Sequence, residues 1–490
     1  MVPESQVGKK LRDLKRRLKQ ENPVLEHVVD SFRELDRISR RLGLLGRNES
    51  HTDRTSWWPL IAVLGVYSSG KSSFINHYLG YRLQAVGNQA VDDKFTVICF
   101  ADEKSVRVLP GLALDADPRF PFYRMSRAIE EVAQGEGRRI DAYLQLKTCP
   151  SESVRGRILI DSPGFDADAQ RTATLRITDH IIDLSDLVLV FFDARHPESG
   201  SMQDTLEHLV RRSVGRPDSS KFLYILNQID ATAQDDNAEE VFASWQRALA
   251  QSGLTAGRCY AVYIPEQALP IADAATRARM EGKRDVHLSA IYQRIEQVGV
   301  ERAYRIVGML EQTARMLAQE AVPRLQRFLS EWRRLTLWAD GVLLGAVLLL
   351  FFAGTLHGGY WQGLRLRLPP WESLAPYPAV RTALLVILAA AAVYVHFTIR
   401  RWAAGRIARR LTSGEAANGA LSGTLQAFRK NSRWFRTLLR RQPAGWGRRS
   451  ARSLAKVLED SQAYVQKLND MYTNPSGRAD AAPVRVEAPP

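Results

Sequence analysis

Gly65-Val66-Tyr67-Ser68-Ser69-Gly70-Lys71-Ser72 follows a Gly-x-x-x-x-Gly-Lys-Ser spacing, and its residue types suit a polyphosphate. Glycines at the two ends let consecutive backbone N–H groups wrap phosphate oxygens, and a helix opening at the lysine adds the positive end of its dipole. Lys71 is the candidate to neutralise the β- and γ-phosphates, and the Ser72 hydroxyl is the candidate Mg²⁺ ligand. Gly65, Tyr67, Ser68, Ser69, Gly70 and Ser73 complete the candidate contacts. The motif needs a strand before it and a helix after it. Apolar Leu60–Leu64 supplies the first, and Ser73-Phe74-Ile75-Asn76 begins the second.

Two further motifs stand behind apolar runs. Asp161-Ser162-Pro163-Gly164 follows Ile158–Ile160. Asp161 there can hold Mg²⁺, usually through water, and the Gly164 N–H can reach a γ-phosphate. Asp-x-Pro-Gly alone is a common turn; at this distance from a phosphate loop it gains meaning. Asn227-Gln228-Ile229-Asp230 follows Phe222–Leu226, where GTPases carry Asn-Lys-x-Asp. Asp230 would accept from guanine N1 and N2, whereas Gln228 in place of lysine thins the apolar cover over the base. The expectation is a triphosphate with Mg²⁺, GTP before ATP. Asp193, His196 and His208 are read as surface or capping residues rather than catalytic ones.

These residues need a frame. From Trp58 to about Pro265 short apolar runs alternate with helical segments, which predicts a mostly parallel α/β domain over 58–285. Its best strands are Leu60–Leu64, Ile158–Ile160, Leu187–Phe192, Phe222–Leu226 and Cys259–Ile264, apolar enough to be buried on both faces. Helical spacing over 5–46, broken near Pro23, predicts N-terminal helices (1–50) that join a bundle. A second amphipathic run from Leu288 predicts a long bundle helix over 286–334. Residues 400–473 read as basic C-terminal helices interrupted around Gln442–Gly447, and 474–490 as a disordered tail.

Between them, 335–356 and 380–399 are long and apolar enough to cross a bilayer, giving a hairpin over 335–399. Buried core helices are the alternative. Asp340 is the one charge in the first span, and either a functional role or snorkelling to the interface would account for it. Arg333 and Arg334 before the hairpin, and Arg400, Arg401, Arg406, Arg409 and Arg410 after it, put both termini and the α/β domain on the cytoplasmic side. A bacterial inner membrane fits best. Trp361, Trp371 and Tyr377 suit the far interface.

Net charge is +15, and from Arg400 to Lys456 the only acidic residue is Glu415. Beside a span, such arginines, interleaved with Trp402, Trp434, Phe435 and Trp446, point to anionic lipid. Nucleic acid is not expected, since no reading motif accompanies the charge. Three separated cysteines, without CxxC or Cys/His spacing, argue against a disulfide framework or zinc site.

Gly65 to Asn76 and Ser185-Asp186-Leu187-Val188-Leu189-Val190-Phe191-Phe192-Asp193-Ala194 resemble the corresponding segments of the dynamin superfamily, notably its EHD branch. The resemblance covers roughly residues 5–330 and leaves out the hairpin and basic tail. It implies nucleotide hydrolysis, nucleotide-dependent homo-oligomers and membrane remodelling, with Ser68 helping to stabilise charge in place of an external arginine. It also implies a switch I threonine that coordinates Mg²⁺ and orients the attacking water. In Gln89-Ala90-Val91-Asp92-Asp93-Lys94-Phe95-Thr96, Thr96 is either that residue or a strand residue with its hydroxyl facing out. Two alternatives stay open: a nucleotide-gated membrane scaffold with little turnover, and an EHD-like ATPase.

Overall fold

The structure, a computed structural model, describes residues 6–86, 94–102, 106–116, 119, 130, 140–164, 172–195, 216, 218–235, 238–254, 257–368, 371, 373–415, 423–434, 436–438 and 442–472. It forms two compact units, one made of 1–29, 52–308 and 464–490, the other of 30–51 and 309–463.

Helices α1 (Gln6–Glu21) and α2 (Pro23–Leu42) meet at Asn22. Proline opens α2 because its fixed φ suits a first turn and its missing N–H costs nothing there. The strands of the first unit are β1 (Leu60–Gly65), β2 (Phe95–Phe100), β3 (Arg107–Pro110), β4 (Leu144–Cys149), β5 (Ile158–Asp161), β6 (Leu187–Asp193), β7 (Phe222–Asn227) and β8 (Arg258–Ala261). They make one sheet in the order β3-β4-β2-β5-β1-β6-β7-β8. Only the β2–β5 and β3–β4 pairings are antiparallel. The five expected strands are present, each shifted by a residue or more at an end, and β2, β3 and β4 are additional.

Helix α3 (Lys71–Leu79) and the first part of α6 (Ala274–Met316) cover one sheet face. There Phe74, Ile75 and Tyr78 and Leu288, Ile291, Ile295 and Val298 pack on Ile61, Val63, Leu159, Leu189 and Ile225. The opposite face is covered by α4 (Thr172–Leu184) and α5 (Ala238–Gln251), where Phe192 meets Trp245 edge to face at 5.4 Å. Helix α6 starts at Ala274, earlier than Leu288. Its opening turns are polar and bury little beyond Met280, so they leave no hydrophobic stripe to read. One carboxylate ties this helix to the phosphate-loop strand: Asp186, 2% exposed, accepts from the Leu60 N–H at 2.9 Å and from Arg302 at 3.0 Å and Arg305 at 2.7 Å.

In the second unit, after a π turn at Leu317–Ala321, α7 runs from Val322 to His357 and α8 from Pro378 to Glu415. With α9 (Thr424–Asn431) they enclose Leu325, Leu329, Trp332, Ala403, Ile407, Leu411 and Phe428. Beyond this core both helices are long and apolar enough to cross a membrane. Leu344, Leu348, Leu349, Leu350, Val386, Ile387 and Leu388 stand more than half exposed on them. Asp340 is joined there to His396 Nδ1 at 2.8 Å. Between α7 and α8, β9 (Trp361–Gln362) pairs with β10 (Arg365–Leu366), and Trp361 Nε1 donates to Thr355 Oγ1 at 3.1 Å. Helix α10 (Arg448–Tyr472) follows the break at 442–447. The segments 87–93, 196–215 and 473–490, which hold Gln89 to Asp93, His196, His208 and the expected disordered tail, lie outside the described residues, as does Phe435.

Candidate functional site

Strand β1 lies at the middle of the sheet, between β5 and β6, so the loop that leaves it is bordered by both neighbours. Gly65 takes φ +152°, and a Cβ there would come within 2.5 Å of the Phe191 carbonyl. Gly70 takes φ +82°, and a Cβ would fall 2.1 Å from Asn227 Nδ2. Both glycines are therefore dictated by close backbone approach and by a left-handed conformation. Ser68 shares that conformation at φ +58° without being glycine, a strained position held by its surroundings.

Those surroundings come from the other motifs. Asn227 Nδ2 donates to the Ser69 carbonyl at 2.9 Å, and Gln228 Nε2 to the Ser68 carbonyl at 2.6 Å. Arg195 reaches the same Ser68 carbonyl at 3.3 Å while its guanidinium grips Asp193 at 2.8 Å. Asp193 thus caps its own turn. The hydroxyl of Ser69 donates to the Val66 carbonyl at 2.7 Å. On the other side the Asp-x-Pro-Gly turn abuts the loop: a Cβ on Gly164 would lie 2.8 Å from Tyr67 Cα.

Lys71 is buried and donates to the Gly65 and Val66 carbonyls, each at 2.9 Å. Burial pulls its ammonium down to about 8, against the opposing pull of the Asp161 carboxylate. Asp161, 4% exposed at the end of β5, accepts from Gln84 Nε2 at 2.5 Å. Asp230 accepts the Leu269 N–H at 2.8 Å, and burial raises its carboxyl above the ordinary range, partly offset by backbone N–H groups. The Ser73 hydroxyl is turned to Gln267 at 2.7 Å, which leaves its backbone N–H as the group for a phosphate. Ser72 opens α3 beside it.

The residues present suit a magnesium triphosphate. Ser72 hydroxyl and Asp161 carboxylate are hard oxygen donors, the kind Mg²⁺ takes in small number alongside phosphates and waters. Tyr67 Oη, Ser162 Oγ and Asn227 Oδ1 are buried around the same loop without a hydrogen-bond partner among the described residues. Buried polar atoms of this kind call for a polar ligand or water.

Of the two alternatives for Thr96, the structure has the strand residue: it lies in β2, fully buried, with Oγ1 turned inward to accept from Gln145 Nε2 at 2.8 Å rather than facing out. The apolar run Phe95-Thr96-Val97-Ile98-Cys99-Phe100 explains why: five of its six residues are buried, so the strand is covered on both faces. Sequence reasoning also missed Gln84, Lys147 and Arg195. Of these only Lys147, a charge inside the strand Leu144–Cys149, carried a signal.

With this geometry in place, residues 61–229 match the dynamin family. That stretch is a dynamin-family domain. EH domain-containing protein 2 of Homo sapiens is 25% identical over 179 residues, 35% of this chain and 30% of that protein. EH domain-containing protein 1 of Arabidopsis thaliana is 25% identical over 180 residues, with the same 35% and 30% coverage. The matched stretch therefore spans under a third of the curated relatives' length. A solved structure concerning an oligomerised bacterial dynamin pair, described as a mechanism for the long range sensing and tethering of membranes, aligns over 94% of this chain and 78% of its own. Its identity is 14% and its TM-score 0.36, a superposition too loose to carry inference about arrangement. The matched residues hold β1 to β7 and the motifs as far as Ile229, and β8, the hairpin and the basic helices lie outside them.

Proposed function

We propose that this chain is a membrane-anchored dynamin-like hydrolase that binds a nucleoside triphosphate, GTP in first place, and couples its hydrolysis to homo-oligomerisation and membrane remodelling. One observation carries the reading: a buried lysine inside a glycine-bounded loop, pinned by Asn227 and Gln228 and abutted by the Gly164 turn, occurs in a chain with two exposed apolar helices. Exposed apolar surface on that scale needs a non-aqueous partner. Two helices of this length, joined by a short aromatic loop and flanked by arginines, suit a bilayer. The orientation with the GTPase domain on the cytoplasmic side, and contact of the basic C-terminal helices with anionic lipid, follow from the same charges.

In this reading the backbone N–H groups of 68–73 take the β- and γ-phosphates and Lys71 turns its ammonium from the Gly65 and Val66 carbonyls to them. Gly164 offers its N–H to the γ-phosphate. Ser68, already strained, holds the loop open against the transferred group. Asp230 reads the base, with Gln228 bracing the loop rather than covering the ring. Ser72 and Asp161 would hold Mg²⁺, which when bound offsets charge building on the phosphates. Helices of residues 5–46 and 288–333 and part of 402–470 would form the bundle that passes the nucleotide state on.

Purified full-length protein in anionic liposomes, with Lys71→Ala as control, tests this reading. GTP-dependent vesicle deformation by the wild type alone is expected; equal deformation by both would refute it. A second reading, a nucleotide-gated scaffold with little turnover, draws on Thr96 being committed to Gln145. Single-turnover hydrolysis separates the two, because persistent triphosphate in assembled protein supports the scaffold. Competition between fluorescent GTP and ATP analogues decides the base, for which Asp230 is one acceptor already engaged by Leu269.

A further inference from the structure

Asp161 does not stand alone at the strand end. Thr96 of β2 is opposite Asp161 in register, and Ile98, two residues on, is opposite Lys147 of β4. Residues two apart on a strand share a face, so Asp161 and Lys147 project to the α3 side, two strand spacings apart across β2 and two residues apart along it, roughly 12 Å in all. Gln84 fills that gap. Its Oε1 accepts from Lys147 Nζ at 2.6 Å, and its Nε2 donates to Asp161 Oδ2 at 2.5 Å. All three side chains are buried: Gln84 is 1% exposed, Asp161 4% and Lys147 9%. The amide direction is fixed by charge, since the reverse would set N–H against ammonium and oxygen against carboxylate.

The backbone of Gln84 is held just as firmly. Its N–H donates to Asn76 Oδ1 at 2.8 Å, and its carbonyl accepts from Asn76 Nδ2 at 2.9 Å, while the Leu83 N–H also reaches Asn76 Oδ1 at 2.9 Å. Asn76 sits one turn after Ser72 on α3. One glutamine therefore links the phosphate-loop helix, a lysine two strands away and the carboxylate that ends β5.

We propose that Gln84, clamped by Asn76 and polarised by Lys147, is the positioning residue that fixes the Asp161 carboxylate for Mg²⁺, and so sets the metal dependence of triphosphate binding. This rests on the nucleotide-binding reading above. The amide serves where a direct cation would fail. A lysine on Asp161 would compete with the metal for the carboxylate, whereas an amide N–H orients one oxygen and leaves the negative charge. Groups that orient a metal-binding carboxylate commonly change metal affinity by about 10–100-fold when removed.

The test measures the affinity of a fluorescent, slowly hydrolysed GTP analogue, and of its ATP counterpart, for full-length protein in EDTA and in MgCl₂. The ratio of the two affinities is the Mg²⁺ increment. Gln84→Leu should cut that increment about tenfold or more, with affinity in EDTA, set by the phosphate loop, changed less than about threefold. Lys147→Met should act in the same direction by a smaller factor, and Lys147→Arg should restore it. A folded Gln84→Leu with an unchanged increment overturns the proposal, as does an equal loss in EDTA and in MgCl₂, the mark of a purely structural role. Should Gln84→Leu not fold, Lys147→Met decides by the same criterion; if that variant is unfolded too, Lys147→Arg decides, an increment unlike the wild type's overturning the proposal. A wild-type protein that binds neither analogue overturns the nucleotide reading itself, and wild-type binding that ignores Mg²⁺ overturns this inference alone.

Discussion

The phosphate loop and the apolar hairpin keep their shapes by opposite means. Around the loop almost every constraint is polar and specific: two side-chain amides on Ser68 and Ser69, two carbonyls on Lys71, one glutamine on Asp161. The hairpin holds few such bonds. Asp340 and His396 meet there by a side-chain hydrogen bond at 2.8 Å, set within helices whose leucines and valines face outward. A site built on buried polar contacts has one geometry and breaks sharply when one partner is lost. A surface built on apolar area tolerates exchange of one aliphatic residue for another and yields gradually.

Variants sharpen that contrast. Lys71→Met removes the buried charge that would face the phosphates and should weaken triphosphate binding by about 30-fold or more, since losing one partner of a buried charge pair costs roughly 2–5 kcal/mol. The same variant should also melt lower, because the Gly65 and Val66 carbonyls lose their buried donor. Nucleotide titration beside thermal melting checks both, and an unchanged melting temperature would break the comparison. Gly70→Ala forces a Cβ onto Asn227 Nδ2 at a left-handed φ. It should destabilise the domain by about 1–3 kcal/mol, read from denaturant midpoints.

The pH dependence is next in size. Lys71 has its ammonium lowered from 10.5 to about 8 in the folded protein. Between those values the unfolded chain binds more protons, so its contribution makes stability rise with pH across that window. Phosphate binding needs the protonated form, so affinity should be flat below pH 7 and fall as pH passes 8, toward tenfold per unit; Lys71→Met should lose this dependence. The smallest effect belongs to the hairpin. Asp340→Ala and His396→Ala, combined in a double-mutant cycle in detergent, should couple by about 0.6 kcal/mol and by no more than about 1.7, the average and the maximum for polar pairs inside membrane proteins. A coupling several times larger would place the hairpin with the phosphate loop rather than opposite it.

Much of the site was legible because its motifs are local. Gly65 to Ser72, Asp161 to Gly164 and Asn227 to Asp230 each follow an apolar strand directly, and the sheet brings those strand ends together. The hairpin was legible from hydropathy for the same reason. Gln84 and Lys147 were not, because they meet Asp161 only through the register of β2 with β4 and β5. Strand β4 also escaped notice: Gln145 and Lys147 put polar side chains on its inner face, which spoils the apolar pattern a buried strand presents. Helix α6 began earlier than its hydrophobic stripe for a related reason, since exposed polar turns carry no period. The threonine at 96 shows the opposite risk, a residue of suitable type whose apolar neighbours had already placed it in a strand.

The single carboxylate of Asp186 takes the first N–H of β1 and two arginines of α6. Sliding that helix by one turn would carry both arginines away and leave a buried anion uncompensated, at a cost of about 3–5 kcal/mol. The joint therefore behaves as a detent: rigid under small loads, released all at once, and seated at the root of the strand whose other end carries the phosphate loop.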